Sequence, residues 1–353
     1  MESVIIRTEP SYEALVGAGL LAEAGARTAA LLKGRRVLIA ADEHVALLYM
    51  EKVRRSYDEA GFRTACFVFP AGEDAKTLET AERMLEAADR AHLTRSDVFA
   101  ALGGGVTGDM TGLAAALYMR GTDFVQLPTT LLAMVDASVG GKTAVNLNSG
   151  KNLCGAFHQP RLVLCDTDTL DTLDRPVLAE GMAEVIKHGA LSGGALLDRI
   201  RAGEDRKSLI ADNIRFKNEI VSRDERENGL RQLLNFGHTF GHALEKLNQY
   251  AIYHGEGVSV GMLIAARTAE RRGMCPEGVY AELKELLERE GLPTSTRFTA
   301  DQVAEAAMND KKRRGDTVTL VLPEARGRCR LAPTPAAELA ELIRCCDGEV
   351  TGR

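Results

Sequence analysis

Two patterns predict an α/β half followed by a mainly α-helical half. In the first, short apolar runs alternate with amphipathic helical segments, the sequence form of βαβ units around a mostly parallel sheet. In the second, beyond about Asp174, helical periodicity takes over. Strands are expected at "RVLIAAD" (36–42), "FRTACFVFP" (62–70), "SDVFAALGGG" (96–105), "DFVQLPTT" (123–130) and "RLVLCD" (161–166), with helices such as "TLETAERMLEAADRA" between them. The later helices are "LAEGMAEVIKHGAL", residues 206–222, the segment around "HTFGHALE", "GVSVGMLIAARTAERRG" and "EGVYAELKELLEREG". The stretch "DTVTLVLPEARGRCRL" breaks the helical run and predicts a β-hairpin. The chain's 353 residues suffice for two domains with separate cores. We therefore expect a Rossmann-like α/β domain over 1–174 and a mainly helical domain over 175–353, with a ligand in the cleft between them.

Composition narrows the functional classes. A net charge of -6 argues against a general nucleic-acid or membrane-surface role. The seven cysteines include no CxxC and only one adjacent pair, Cys345 and Cys346, which reads as reduced thiols. "MESVIIRTEP" lacks the layout of a signal peptide, and "GLAAALYM" is too short to span a bilayer. A cytoplasmic protein is expected.

"ALGGGVTGD" (101–109) follows an expected strand and opens an expected helix. Glycines there let backbone amides approach a phosphate, and the helix N-terminus favours negative charge. The three consecutive glycines do not fit GxGxxG, so a tight structural turn is the competing explanation. Asp42 ends an earlier strand, where an acid can contact a ribose. "PAGEDAKT" adds Glu73 and Lys76, while "QLPTTLLAMVDASVGGKT" adds Thr129, Thr130, Asp136 and Lys142. Strand ends of a parallel sheet converge on one crevice, and these residues suit a dinucleotide.

"LNFGHTFGHALE" places His238 and His242 four apart on one helix face. A buried packing role is common for such pairs. His254 in "YHGEG" and Glu184 in "EGMAEVIKHG" favour a metal instead. A catalytic zinc takes three protein ligands and keeps one open position. Glu184 with two of the three histidines satisfies that and leaves one imidazole for proton transfer; periodicity does not say which. Lys142, Lys151, Lys187, Lys217 and Arg231 lie near these motifs and not in charge runs, so they suggest an anionic substrate. "GKNL" (150–153) reads as a phosphate-contacting turn, and "KKRR" (311–314) as a solvated loop whose lysines could close over substrate.

"GGGVTGD", "QLPTTLLAMVDASVGGKTAVN", "GKNLCGAFHQP", "AEVIKHG", "GLRQLLNFGHTFGHALE" and "HGEGV" occur in this order. Together they resemble the 3-dehydroquinate synthase family of the sugar-phosphate cyclase superfamily, from about Asp42 to "NDKKRRGDTVTLVLP". The resemblance implies a homodimeric lyase of the shikimate pathway and aromatic amino acid biosynthesis. It would turn 3-deoxy-D-arabino-heptulosonate 7-phosphate into 3-dehydroquinate and phosphate, by transient NAD oxidation at C5, phosphate elimination, re-reduction and aldol closure. It implies Glu184, His238 and His254 as ligands of zinc or cobalt, with His242 moving protons beside Glu227. The implied NAD contacts are Asp42, Glu73, Lys76, Gly104, Gly105, Val106, Asp109, Thr129, Thr130, Leu132, Lys142 and Lys151. The implied substrate contacts are Asp136, Lys142, Asn152, Lys187, Lys217, Arg231, Asn235, His242 and Lys311 or Lys312, with Arg120 reaching a phosphate across a dimer interface. Among these, His242, Glu227, Lys142, Arg231 and Asn235 are the implied catalytic set.

The chain departs from the family pattern at Met134 and Ala137, where Gln and Ser are usual, and at "DRPV" (174–177). Those departures leave room for an amino-dehydroquinate synthase or another cyclase of secondary metabolism. A metal- and NAD-dependent polyol or glycerol-phosphate dehydrogenase is the alternative from another class, but a simple polyol oxidation does not need the anion-binding residues.

Overall fold

The computed structural model describes residues 1–308, 313–314 and 316–352. These form two compact units, Met1–Leu173 with Ile210–Arg226, and Asp174–Leu209 with Glu227–Arg353.

The first unit is built on a seven-stranded sheet in the order β1-β2-β9-β6-β5-β3-β4. Its members are β1 (Glu2–Ile6), β2 (Tyr12–Gly17), β3 (Arg36–Asp42), β4 (Arg63–Phe69), β5 (Val98–Gly103), β6 (Asp123–Pro128) and β9 (Leu162–Asp166). Only β1 runs antiparallel to its neighbour. The first half therefore folds as the expected mostly parallel α/β unit. Strand alternation explains why both faces are covered. In β3, Val37, Ile39 and Ala41 join a core that includes Val53 and Tyr57, while Leu38 and Ala40 join Met84, Met110 and Leu113. The first of those faces is packed by α1 (Ala24–Leu31) and by a helix that starts as α2 (Glu43–Val45), passes a π-helical turn and continues as α3 (Glu51–Glu59). The second is packed by α4 (Leu78–Arg90) and α5 (Gly105–Leu117). The Thr77 hydroxyl accepts from Thr80 N at 3.1 Å and caps α4, which is why the helix begins there.

Sequence patterning missed β1, β2 and an antiparallel hairpin formed by β7 (Lys142–Leu147) and β8 (Gly150–Phe157). "GKNL", expected as a turn, is the opening of β8. Within β7 only Thr143 and Val145 are buried, so polar and glycine positions hide the strand periodicity.

The second unit holds α6 (Arg175–Leu191), α7 (Ala195–Arg201), the start of α8 (Arg206–Val221), α9 (His238–Leu247), α10 (His254–Arg271), α11 (Val279–Arg289) and α12 (Ala300–Met308). It closes with the small sheet β10 (Arg313–Arg314), β11 (Thr317–Ala325) and β12 (Arg328–Pro335), and α13 (Leu339–Ile343). The β11–β12 hairpin occupies the expected stretch. From Ile210 onward α8 belongs to the first unit. Thirteen of the 18 residues of α10 are buried, which makes it the central helix, packed by α6, α9 and α11. Its approach to α9 requires glycine: a Cβ on Gly261 would strike the Gly237 carbonyl. At its start, a Cβ on Gly255 would lie 2.6 Å from Glu180 Cα on α6. No helix of the described residues is long and apolar enough to cross a membrane.

Candidate active site

In the first unit the glycine turn ends β5 and opens α5, with Gly104 as its N-cap residue. Gly104 faces Thr130 and Gly105 faces Leu132 and Ala137 closely enough that added Cβ atoms would lie 3.2 Å from Thr130 Cγ2 and 3.4 Å from Ala137 Cβ. The amides of Gly105 and Val106 thus stand in the first turn of a helix beside the end of β6. Thr129 is buried, and its hydroxyl has no hydrogen-bond partner among the described residues.

Lys76, Asp109 and Asn152 come together although they are far apart in sequence. Lys76 Nζ donates to Asp109 Oδ2 and to Asn152 Oδ1, both at 2.6 Å. Burial raises the Asp109 carboxyl above its ordinary value, against the pull of the Lys76 charge. Asn146, which sequence reasoning passed over, ties this group together. Its amide donates to Glu73 Oε1 at 2.8 Å, and its Oδ1 accepts from Asn152 N at 2.9 Å. Asn152 sits at φ 53, a left-handed conformation that this bond helps to hold. Lys217 on α8 donates to the Asp136 carbonyl at 2.6 Å and pairs with its carboxylate at 2.8 Å.

Asp42 ends β3, and its carboxylate accepts from His44 N and Val45 N at 3.0 Å each, so it caps the following helix. Lys142 opens β7 and is exposed, Lys151 lies in β8, and Arg120 is exposed in the turn after α5. Lys311 and Lys312 lie outside the described residues.

In the second unit three elements bring Glu184 (α6), His238 (α9) and His254 (α10) to one point. Glu184 Oε1 is 3.6 Å from His238 Nε2 and 3.8 Å from His254 Nε2. Donors on a tetrahedral cation with bonds of about 2.1 Å stand about 3.4 Å apart. The separations therefore suit a shared cation and are too long for hydrogen bonds. Proton placement agrees. His238 Nδ1 is 3.1 Å from the Phe236 carbonyl and His254 Nδ1 is 2.8 Å from Glu245 Oε1. Both partners only accept, so each Nδ1 carries a hydrogen, and in the neutral ring each Nε2 offers a lone pair. Glu184 is buried, and its Oε1 accepts no hydrogen bond among the described residues. Lys187, also buried, contacts the other oxygen of Glu184. The residues fit a divalent ion.

Burial lowers the His254 pKa, but the Glu245 hydrogen bond and the charges of Glu245, Glu184 and Glu180 outweigh it and push it up to about 9. His242 stands 5.5 Å, ring to ring, from His238 and 5.8 Å from His254, close to the trio. Asn235 Nδ2 donates to Glu227 Oε1 at 2.6 Å, and Arg231, in the same turn, is 2% exposed. Glu245 also escaped sequence reasoning, although its position seven residues after His238 places it on the same helix face.

The comparisons with known proteins give the family. Residues 66–180 match the 3-dehydroquinate synthase N-terminal family and residues 181–313 the 3-dehydroquinate synthase C-terminal family. A 3-dehydroquinate synthase of Streptococcus suis (strain 05ZYH33) is 41% identical over 94% of this chain and 97% of its own length. A solved 2-deoxy-scyllo-inosose synthase, complexed with carbaglucose-6-phosphate, NAD+ and Co2+, superposes with TM-score 0.86 at 27% identity, covering 97% of this chain and 99% of that one. The 2-epi-5-epi-valiolone synthase of Streptomyces hygroscopicus subsp. jinggangensis 5008, solved with NAD+ and Zn2+, gives 0.84 at 30% identity, covering 94% and 95%. The chain belongs to the 3-dehydroquinate synthase family.

Proposed function

We propose that this chain, a phosphorus–oxygen lyase, converts 3-deoxy-D-arabino-heptulosonate 7-phosphate to 3-dehydroquinate and phosphate, the reaction of its family and a step toward aromatic amino acids. The convergence of Glu184 Oε1, His238 Nε2 and His254 Nε2 carries this reading. The cofactors of the two solved cyclases, NAD+ with Co2+ or Zn2+, support a nicotinamide and a divalent ion here too. When bound, NAD+ supplies a hydride acceptor for C5, and the ion supplies Lewis acidity that lowers the pKa of the hydroxyl being oxidised.

The chain's own groups do the rest. In the first unit, the amides of Gly104, Gly105 and Val106 would meet the NAD diphosphate at the start of α5. Asp42, Glu73, Lys76, Asp109, Thr129, Thr130, Leu132, Lys142 and Lys151 would line the remainder of the cofactor. Asp136, Lys142, Asn152 and Lys217 would hold substrate oxygens, with Asp136 and Asn152 already fixed by Lys217 and Lys76. In the second unit, Glu184, His238 and His254 would hold the ion. Arg231 would pair with the substrate carboxylate, while Lys187 and Asn235 would bind hydroxyl or phosphate oxygens. Asn235 is oriented by Glu227. His242, which lies beside the trio without being part of it, would carry the proton that phosphate departure releases from carbon and stabilise the departing charge. We further propose zinc or cobalt as the ion, Lys311 as a contact with the substrate, a cytoplasmic location, and a homodimer in which Arg120 serves the neighbouring copy.

Phosphate release from the heptulosonate phosphate, with and without chelator, tests the reading. We expect release that chelation abolishes, with no net NADH. NADH accumulation on a polyol, without phosphate release, would overturn it.

A further inference from the structure

We infer that Glu245 is a positioning residue for the divalent ion, acting through His254; this rests on the metal reading above. Glu245 lies on α9 one turn beyond His242 and is 1% exposed. Its stem crosses to α10 over Gly257, where an added Cβ would stand 3.3 Å from Glu245 Cγ. A larger residue at 257 would compete for that space. At the end of this path Oε1 meets His254 Nδ1 at 2.8 Å. That distance is a charge-assisted hydrogen bond, shorter than the separation of about 3.4 Å that an ion between the two atoms would require. The cluster of His242, Glu245 and His254 is therefore not a second metal site in this arrangement.

The carboxylate has two effects. It locks the imidazole in the tautomer whose Nε2 is a bare lone pair, and it turns that lone pair toward Glu184 Oε1 and His238 Nε2. Without it, His254 could rotate or present a hydrogen where the ion belongs. The carboxylate's negative charge also makes Nε2 a stronger donor.

The test uses the full chain, cobalt(II) as probe, and the variants Glu245→Gln, Glu245→Ala and His238→Ala. Cobalt affinity is measured by competition with a chelator, the ligand geometry by cobalt absorption, and the fold by melting of the metal-free protein. We expect affinity to fall about 10-fold in Glu245→Gln, which keeps an acceptor, and about 100-fold in Glu245→Ala. The cobalt spectrum should change in both, while the metal-free melting temperature of Glu245→Gln stays near wild type. Wild-type affinity and spectrum in both Glu245 variants, with binding lost in His238→Ala, would overturn the positioning role and leave the metal site standing. Wild-type affinity in all three would remove the metal site itself. An affinity loss in Glu245→Gln matched by an equal collapse of metal-free melting, with an unchanged spectrum at saturating cobalt, would make Glu245 a packing residue and overturn the inference.

Discussion

His238 and His242 are equivalent by spacing, and only the fold separates them. Gly237, at φ 79, starts α9 so that the His238 Nδ1 can reach the Phe236 carbonyl, and this turns Nε2 toward Glu184. His242, one turn on, stands beside the trio. Replacing His238 by Ala should therefore remove both metal and turnover, measured as metal content after gel filtration and as phosphate release. His242→Ala should keep its metal but release phosphate about 100-fold more slowly or worse, the usual worth of a positioned acid–base group. Loss of metal in that variant would exchange the two roles. For Arg231→Ala we predict a KM raised about 10-fold or more, since a charge-assisted bond to the substrate carboxylate contributes about 1.5–3 kcal/mol; an unchanged KM would count against that contact. Motif residues were legible in the sequence because glycine, histidine and lysine stand out in these short patterns. Asn146 and Glu245 were not, since each acts by touching another site residue, and sequence spacing does not display contacts across elements.

At the scale of elements, β3, β5, β6 and β9 were legible because each is a nearly continuous apolar run, as strands covered on both faces demand, whereas β2, also parallel and largely buried, was not. The expected strand at 36–42 coincides with β3, and the one at 161–166 differs from β9 by a single residue. In β1 the burial pattern is eeBeB, so only Val4 and Ile6 point inward and the run is too short to reveal its period. The crossing of α9 and α10 was equally invisible, although its glycines were in plain view, because a glycine pair signals close approach only once its partner helix is known. That crossing sets the distance between His238 and His254, both at helix starts. Gly261→Ala should push the helices apart at the Gly237 carbonyl, costing roughly 1–3 kcal/mol as an overpacked contact. Both the melting temperature and cobalt affinity should fall. A variant that melts lower yet binds cobalt as wild type would show that the crossing supports the fold without setting the site.

For the whole chain, a division into an α/β half and a helical half was readable from period alone, but the return of Ile210–Arg226 to the first unit was not. Helical periodicity continues through α8 without a break, and nothing local marks Ile210 as the point where its partners change. The same scale decides how metal and pH act together. In His254, burial is outweighed by Glu245, Glu184 and Glu180, which push the pKa up to about 9, above its ordinary 6.5. Its protonated form therefore stabilises the metal-free fold in full below about pH 6.5, and that contribution is lost as the pH rises through about 9. A divalent ion needs the neutral imidazole, so loading is opposed by protons and strengthens over the same range. The two trends diverge: from about pH 6.5 to 9 the gap in melting temperature between metal-loaded and chelated protein should widen. At a thousandfold excess of ion over its Kd the gap corresponds to about 4 kcal/mol. Parallel melts of wild type and His238→Ala across this range provide the check, with the variant expected to show almost no gap at any pH. A wild-type gap that stays constant or narrows as the pH rises would mean that His254 does not exchange its proton for the ion.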